Sequence, residues 1–128
     1  MRLEICIDVD DVGRAVEFYG RGLGLEIVEQ HPDWAQLRLG EQVFWVMKIA
    51  AGVAGPITRD YARHWTPVHF DFIVDDLDRA VSGALAAGGR LDREINRQRE
   101  PGGSQVVVAN LSDPAGNGVD LVERRSAG

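Results

Sequence analysis

The 128-residue sequence lacks the features of several specialised classes of protein. Its single cysteine, Cys6, excludes an internal disulfide and is typical of a reducing compartment. No apolar run approaches the ~20 residues that cross a bilayer, so we expect no membrane partner. The net charge of −6 argues against a nucleic-acid partner, which would need a basic stripe. Acidic residues interrupt the arginines of residues 90–99, a pattern typical of a solvated loop.

The composition predicts one ordinary globular domain. A hydrophobic fraction of 45% is typical of a chain that buries a core. Glu4 lies where a signal peptide would have its apolar stretch, so we expect a cytoplasmic protein.

The clearest pattern is an internal repeat. Residues 8–16, DVDDVGRAV, recur 65 positions later as residues 73–81, IVDDLDRAV. The same offset aligns Gly24 with Gly89 and Glu4 with His69. A repeat of half the chain length indicates one supersecondary unit used twice. Any site between the two units should therefore contain matching strand positions.

Each half has the pattern β-α-β-β-β. The predicted strands cover residues 3–9, 25–30, 34–39, 42–49, 68–74, 90–94, 105–111 and 118–123. The predicted helices cover 12–23 and 77–85, each preceded by an Asp-Asp pair that can cap its first turn. We expect module 1 at residues 1–50, a linker at 51–66 and module 2 at 67–125. Residues 96–104, polar and rich in Gly and Pro, are predicted as a loop and as a candidate lid or edge over a site.

Two segments resemble a known family. DVDDVGRAVEFYGRGLGL at residues 8–25 and DPAGNGVDLVE at 113–123 are similar to the opening and closing parts of vicinal oxygen chelate modules. This superfamily includes glyoxalase I, bleomycin-resistance proteins, fosfomycin-resistance enzymes, methylmalonyl-CoA epimerase and extradiol dioxygenases. The resemblance implies an α+β fold in which two βαβββ modules form curved mixed sheets around a cavity. It also implies a homodimer.

The resemblance further implies a metal site. In metal-dependent members the ligands come from the first and last strands of each module, which correspond here to Glu4, His69 and Asp120. The fourth position falls near Phe44 or Val46, where no side chain can chelate a metal.

Strand alternation gives an independent reason to group these residues. If the apolar residues of the strand over 3–9 pack against the helices, then Glu4, Cys6 and Asp8 face the opposite side. The same reasoning places His69, Asp71 and Asp120 on that side in module 2. One imidazole and two carboxylates suit Mn²⁺, Fe²⁺, Ni²⁺ or Zn²⁺. An ion pair between Glu4 and His69 would explain the two residues without a metal.

Two functional hypotheses follow. In the first, the protein is a glyoxalase-like lyase or isomerase in which a divalent ion held by Glu4, His69 and Asp120 binds a small molecule with vicinal oxygens. Glu4, Asp120 or Asp8 would move the proton. The substrate pocket would include Arg38, Trp45 and Asp71. Ring-cleaving dioxygenase chemistry is disfavoured because it would need a second histidine.

In the second hypothesis, the protein binds a small molecule, such as an antibiotic, without a metal and without chemistry. This is the mode that the resemblance to bleomycin-resistance proteins implies. The apolar strand at the fourth ligand position and the acidic net charge are both compatible with it.

Overall fold

The α+β architecture that the resemblance implies is confirmed. The computed structural model describes residues 1–51, 60–63, 66 and 68–126. It contains two mixed β-sheets, one from each half of the sequence, with helices packed against one face of each. Most of the expected linker, including His64 and Trp65, lies outside the described residues.

Sheet 1 is formed by module 1. Its strands are β1 (Glu4–Val9), β2 (Glu26–Gln30), β3 (Trp34–Leu39) and β4 (Gln42–Lys48). Their order in the sheet is β1-β4-β3-β2, and β1 runs parallel to β4.

Sheet 2 repeats this arrangement in module 2. Its strands are β5 (Phe70–Ile73), β6 (Arg90–Leu91), β7 (Asn96–Arg99), β8 (Gln105–Ser112) and β9 (Gly118–Arg125). The order is β5-β9-β8-β6, β7 also pairs with β8, and β5 runs parallel to β9.

Both helices begin where the Asp-Asp pairs predict. Helix α1 (Val12–Val16) and helix α2 (Leu77–Ala86) are capped by Asp11 and Asp76, whose carboxylates accept from backbone N–H groups at 3.0 and 3.1 Å. Helix α1 continues as a π-helical segment, Glu17–Gly22. No helix in the described part of the chain has the length and apolarity needed to cross a bilayer.

Two expectations about local structure were wrong. Residues 96–104 contain a strand, β7, because the backbone of Asn96–Arg99 pairs with β8 while all four side chains remain exposed. Such a strand has no apolar alternation to reveal it. Leu3 and Val68 were expected to pack against the helices, but they precede the first residues of β1 and β5 and are 72% and 73% exposed.

The core lies between the sheets and the helices and includes residues of both modules. Ile7 and Val9 on β1 and Val119 and Leu121 on β9 are buried, as strand alternation predicts. The opposite face of each sheet is open, so polar side chains of β1, β5 and β9 lie on it.

A buried hydrogen bond between Tyr19 and Asp113 joins the modules. Tyr19, in the π-helical segment, donates from its hydroxyl to Asp113 Oδ2 at 2.7 Å. Asp113 also accepts from the backbone N–H groups of Ala115 and Asn117, and the Asn117 side chain reaches the Asp8 carbonyl at 3.3 Å. Burial raises the pKa of Asp113, and these hydrogen bonds oppose the rise.

We predict that Tyr19→Phe destabilises the protein by about 1–3 kcal/mol at neutral pH, because the buried Asp113 carboxylate loses a donor. The loss should shrink as the pH falls through the raised pKa of Asp113, since the protonated carboxyl depends less on that donor. Urea unfolding between pH 4 and 7 measures both effects. Asp113→Asn should remove the pH dependence of the Tyr19→Phe effect, and an equal loss in both backgrounds at every pH would contradict this account.

Candidate functional site

Three side chains that can bind a metal converge on the open face of sheet 2. His69 Nε2 lies 3.3 Å from Asp71 Oδ1 and 3.7 Å from Asp120 Oδ2. One ligand atom from each residue lies within 4.8 Å of the other two, and this is the one such group of three among the described residues. The structure therefore brings together His69 and Asp120, both expected as ligands, with Asp71, expected as a pocket residue.

The strand arrangement explains this convergence. His69 directly precedes β5 and Asp71 lies two positions later, so their side chains point to the same face. In the parallel pair β5–β9, Asp71 lies opposite Asp120. The alternating neighbours Phe70, Phe72, Val119 and Leu121 face the core.

Asp120 is held in place by two further residues. Asn110, its partner on β8, donates from Nδ2 to Asp120 Oδ1 at 2.7 Å. The Asn110 Oδ1 atom in turn accepts from Arg93 Nε at 2.7 Å. Asp120 therefore has one oxygen engaged by Asn110 and the other directed toward His69.

A cavity of about 340 Å³ opens beside these residues. Its lining residues combine cationic, acidic and polar groups: Arg63, Thr66, Val68, His69, Asp92, Arg93, Asn110, Gly118 and Asp120. A second, mainly apolar groove of about 460 Å³ lies between the modules and also includes His69 and Asp71. His69 thus borders a polar and an apolar space.

Asp92 also lines the polar cavity. Its carboxylate accepts from Ser112 Oγ at 2.6 Å and from Arg63 Nε at 2.8 Å. Burial acts to raise the pKa of Asp92, but these two hydrogen bonds and the charges of Arg63 and Arg90 outweigh it, so the pKa is lowered. Asp92 is therefore an ionised partner of Arg63.

Glu4, the remaining expected ligand, does not join this cluster. Its carboxylate accepts from Trp45 Nε1 at 2.9 Å and from Arg2 Nη2 at 3.0 Å, on the open face of sheet 1. The hydrogen bonds from Trp45 and Arg2 lower the pKa of Glu4. The alternative ion pair between Glu4 and His69 is absent from the described residues, since the charged partners of His69 are Asp71 and Asp120.

Trp45 occupies the position in module 1 that Asp120 occupies in module 2. Asp120 pairs with Asp71 across the parallel strands of sheet 2, and Trp45 pairs with Cys6 across those of sheet 1. Asp71 and Cys6 are equivalent by the 65-residue offset. The fourth ligand position was expected near Phe44 or Val46. Both residues are buried in the core, so the residue between them, Trp45, faces outward from β4.

The other predicted site residues also lie on sheet 1. Asp8 is half-buried on β1, on the same face as Glu4. Arg38 on β3 forms an ion pair with Glu26 at 3.1 Å. Neither Arg38 nor Trp45 lines the cavity beside His69, so the expected substrate-pocket residues are divided between the two sheets within one chain.

Sequence reasoning missed Asn110 and Arg93. Asn110 could have been found from the hairpin, because the turn between Ser112 and Gly118 sets Asn110 opposite Asp120. Arg93 gave no such signal, because it lies in the arginine-rich segment that was interpreted as solvated.

Comparison with known proteins identifies the family. A model of the glyoxalase-like domain matches residues 4–122. The chain belongs to the glyoxalase-like family. This agrees with the vicinal oxygen chelate superfamily expected from the two motif segments.

This glyoxalase-like chain is 27% identical, over 95% of its length, to a probable chloroplastic lactoylglutathione lyase of Arabidopsis thaliana. It covers 35% of that relative, so it spans about a third of the relative's length. The structure of a lactoylglutathione lyase from Agrobacterium tumefaciens matches it at 28% identity and a TM-score of 0.61, with 96% and 92% of the two chains covered.

A further structural match supports the fold alone. The structure of a glyoxalase/bleomycin resistance protein from Albidiferax ferrireducens superposes with a TM-score of 0.70 at 21% identity. The match covers 97% of the glyoxalase-like chain and 99% of that protein.

We predict that Trp45→Phe raises the pKa of Glu4, because the indole N–H that stabilises the ionised carboxylate is removed. The change is measured by following the NMR chemical shift of the Glu4 side-chain carboxyl carbon as a function of pH. Trp34→Phe is the control, since the Trp34 ring contacts Trp45 but makes no hydrogen bond to Glu4. An unchanged Glu4 pKa in Trp45→Phe would contradict the assigned hydrogen bond.

Proposed function

We propose that the protein is a divalent-metal-dependent lyase or isomerase that acts on a small molecule with vicinal oxygens. The observation that carries the proposal is the position of His69 Nε2 between the carboxylates of Asp71 and Asp120, beside an open cavity. Lactoylglutathione lyases are among the proteins that the chain resembles, which supports lyase chemistry.

The three donors fit a divalent ion in type and in spacing. Two atoms bound at about 2.1 Å to one ion, about 100° apart, are separated by roughly 3.2 Å. The distances of 3.3 and 3.7 Å from His69 Nε2 to the two carboxylates are close to that separation. One imidazole and two carboxylates suit Mn²⁺, Fe²⁺, Ni²⁺ or Zn²⁺. Such an ion would act as a Lewis acid toward substrate oxygens.

Residues outside the donor set have supporting roles in the proposal. Asn110 holds one oxygen of Asp120, which leaves the other directed at His69. This is the arrangement by which outer residues orient metal-binding carboxylates. The cavity admits a small substrate beside the cluster, and the apolar groove admits a nonpolar substituent.

We predict that the protein binds Mn²⁺, Ni²⁺ or Zn²⁺ at one site per chain, measured by isothermal titration calorimetry and elemental analysis. His69→Ala or Asp120→Ala should weaken binding by more than the roughly 10–100-fold typical of a lost outer partner, and Asn110→Ala should weaken it within that range. His31→Ala is the control, since His31 pairs with Glu29 on sheet 1. Equal metal affinity in wild type and His69→Ala would refute the site.

The second part of the proposal is a homodimer that brings sheet 1 of one copy toward sheet 2 of the other. Glu4 and Asp8, the candidate proton-moving carboxylates, lie on the open face of sheet 1, apart from the His69 cluster of their own chain. Leu3 beside Glu4 and Val68 beside His69 are equivalent in the repeat and are 72% and 73% exposed. Exposed apolar side chains that flank site residues favour a contact with a second copy.

We predict that wild-type protein at micromolar concentration sediments with twice the mass of one chain. Leu3→Glu combined with Val68→Glu should give a monomer, because both charges would be buried at the contact. Leu85→Glu on α2 is the control, since Leu85 is also exposed but lies on a helix. A monomeric wild type, or a dimer unaffected by the double substitution, would contradict this arrangement.

A second candidate function is metal-free binding of a small molecule. The specific observation that favours it is the aromatic row on sheet 1, where the His31, Trp34 and Trp45 rings lie 4.3 and 5.8 Å apart beside acidic side chains. Such a row suits a planar cation. A protein that binds none of the three metals but whose tryptophan fluorescence is quenched by such a ligand would favour this function over the enzyme.

A further inference from the structure

We propose that the Arg93 guanidinium recognises a carboxylate or phosphate group on the substrate, so that the protein selects anionic molecules. This inference rests on the proposed function and names the class of substrate that the same site takes.

The Arg93 side chain is anchored but still has donors available. Its Nε atom donates to Asn110 Oδ1 at 2.7 Å. A guanidinium has five N–H donors, and Nε carries only one of them. The two terminal nitrogens make no hydrogen bond or ion pair among the described residues, and the side chain lines the cavity beside His69. The two terminal nitrogens of a guanidinium can donate two parallel hydrogen bonds to a carboxylate or a phosphate.

The anchor fixes Arg93 relative to the candidate metal ligands. Arg93, Asn110 and Asp120 form a continuous chain of hydrogen bonds at 2.7 Å each. An anionic group at Arg93 would therefore lie at a set distance from oxygens held near Asp120. A flexible arginine would lose more side-chain entropy on binding than an anchored one.

With the proposed divalent ion bound, the charges around the cavity would leave the positive charge of Arg93 unbalanced. Arg63 and Asp92 form an ion pair at 2.8 Å. A divalent ion would balance the two carboxylates of Asp71 and Asp120. The remaining charge in this set is the one on Arg93, although the whole chain has a net charge of −6. A neutral diol or dicarbonyl would leave this guanidinium without a counter-charge, whereas an anionic substrate would supply one.

The test is calorimetric titration of the full chain, with Mn²⁺ and without metal, by three probes that share a diol. Glycerate adds a carboxylate, glycerol 3-phosphate adds a phosphate, and glycerol adds no charge. We expect at least one anionic probe to bind about tenfold or more tightly than glycerol, as charge-assisted hydrogen bonds allow. The anion that binds more tightly identifies the group that the substrate carries.

Substitutions then separate recognition from a structural role. Arg93→Gln should reduce anion affinity to the level of glycerol, while the Mn²⁺ affinity changes by less than about tenfold. Arg93→Lys should retain part of the preference for anionic probes, because it keeps the positive charge but loses the paired N–H donors of the guanidinium. Arg99→Gln on β7, outside the cavity, should leave all affinities unchanged.

Three results would overturn the inference. These are equal affinity for glycerol and both anions, an unchanged preference in Arg93→Gln, and an equal loss of affinity for all three probes in that variant. Failure to bind Mn²⁺ refutes the proposed enzyme instead. The metal-free titration then decides the anion site independently.

Discussion

The parallel pairing of β5 with β9 places Asp71 directly beside Asp120, and the site on sheet 2 depends on this register. Buried neighbours enforce it, since Phe70 and Phe72 on β5 and Val119 and Leu121 on β9 face the core. A shift of one residue would turn the polar side chains of one strand into that core and expose its apolar ones. The cost of burying a charged carboxylate without a partner excludes the shifted pairing.

The two modules have the same fold but different chemistry on their open faces. At equivalent positions, module 2 has His69, Asp71 and Asp120, whereas module 1 has Glu4, Cys6 and Trp45. Burial chiefly, with the charge of Asp8, raises the pKa of the Cys6 thiol, which makes Cys6 a weaker ligand at neutral pH. Trp45 cannot bind a metal, and its N–H engages Glu4 instead. The repeat thus supplies one face with three candidate metal ligands and one aromatic, acidic face.

The sequence predicts the fold better than the site. Apolar alternation and the Asp-Asp caps locate β1, β3, both helices and β9 to within a few residues, because these elements each bury one face. Strand β7 escapes detection because its four side chains are exposed. The repeat and strand alternation identify His69, Asp71 and Asp120, but alternation states only the face on which a residue lies. The separation of Glu4 from His69 depends on how the modules pack, and the position of Arg93 depends on a loop without periodicity.

The most direct test of the central claim is a crystal structure of the protein grown with Mn²⁺, with anomalous scattering measured from the ion. The account predicts an anomalous peak at about 2.0–2.2 Å from His69 Nε2 and from one carboxylate oxygen each of Asp71 and Asp120. A map without a peak at that position, in which His69 simply donates a hydrogen bond to one of the two carboxylates, would contradict it.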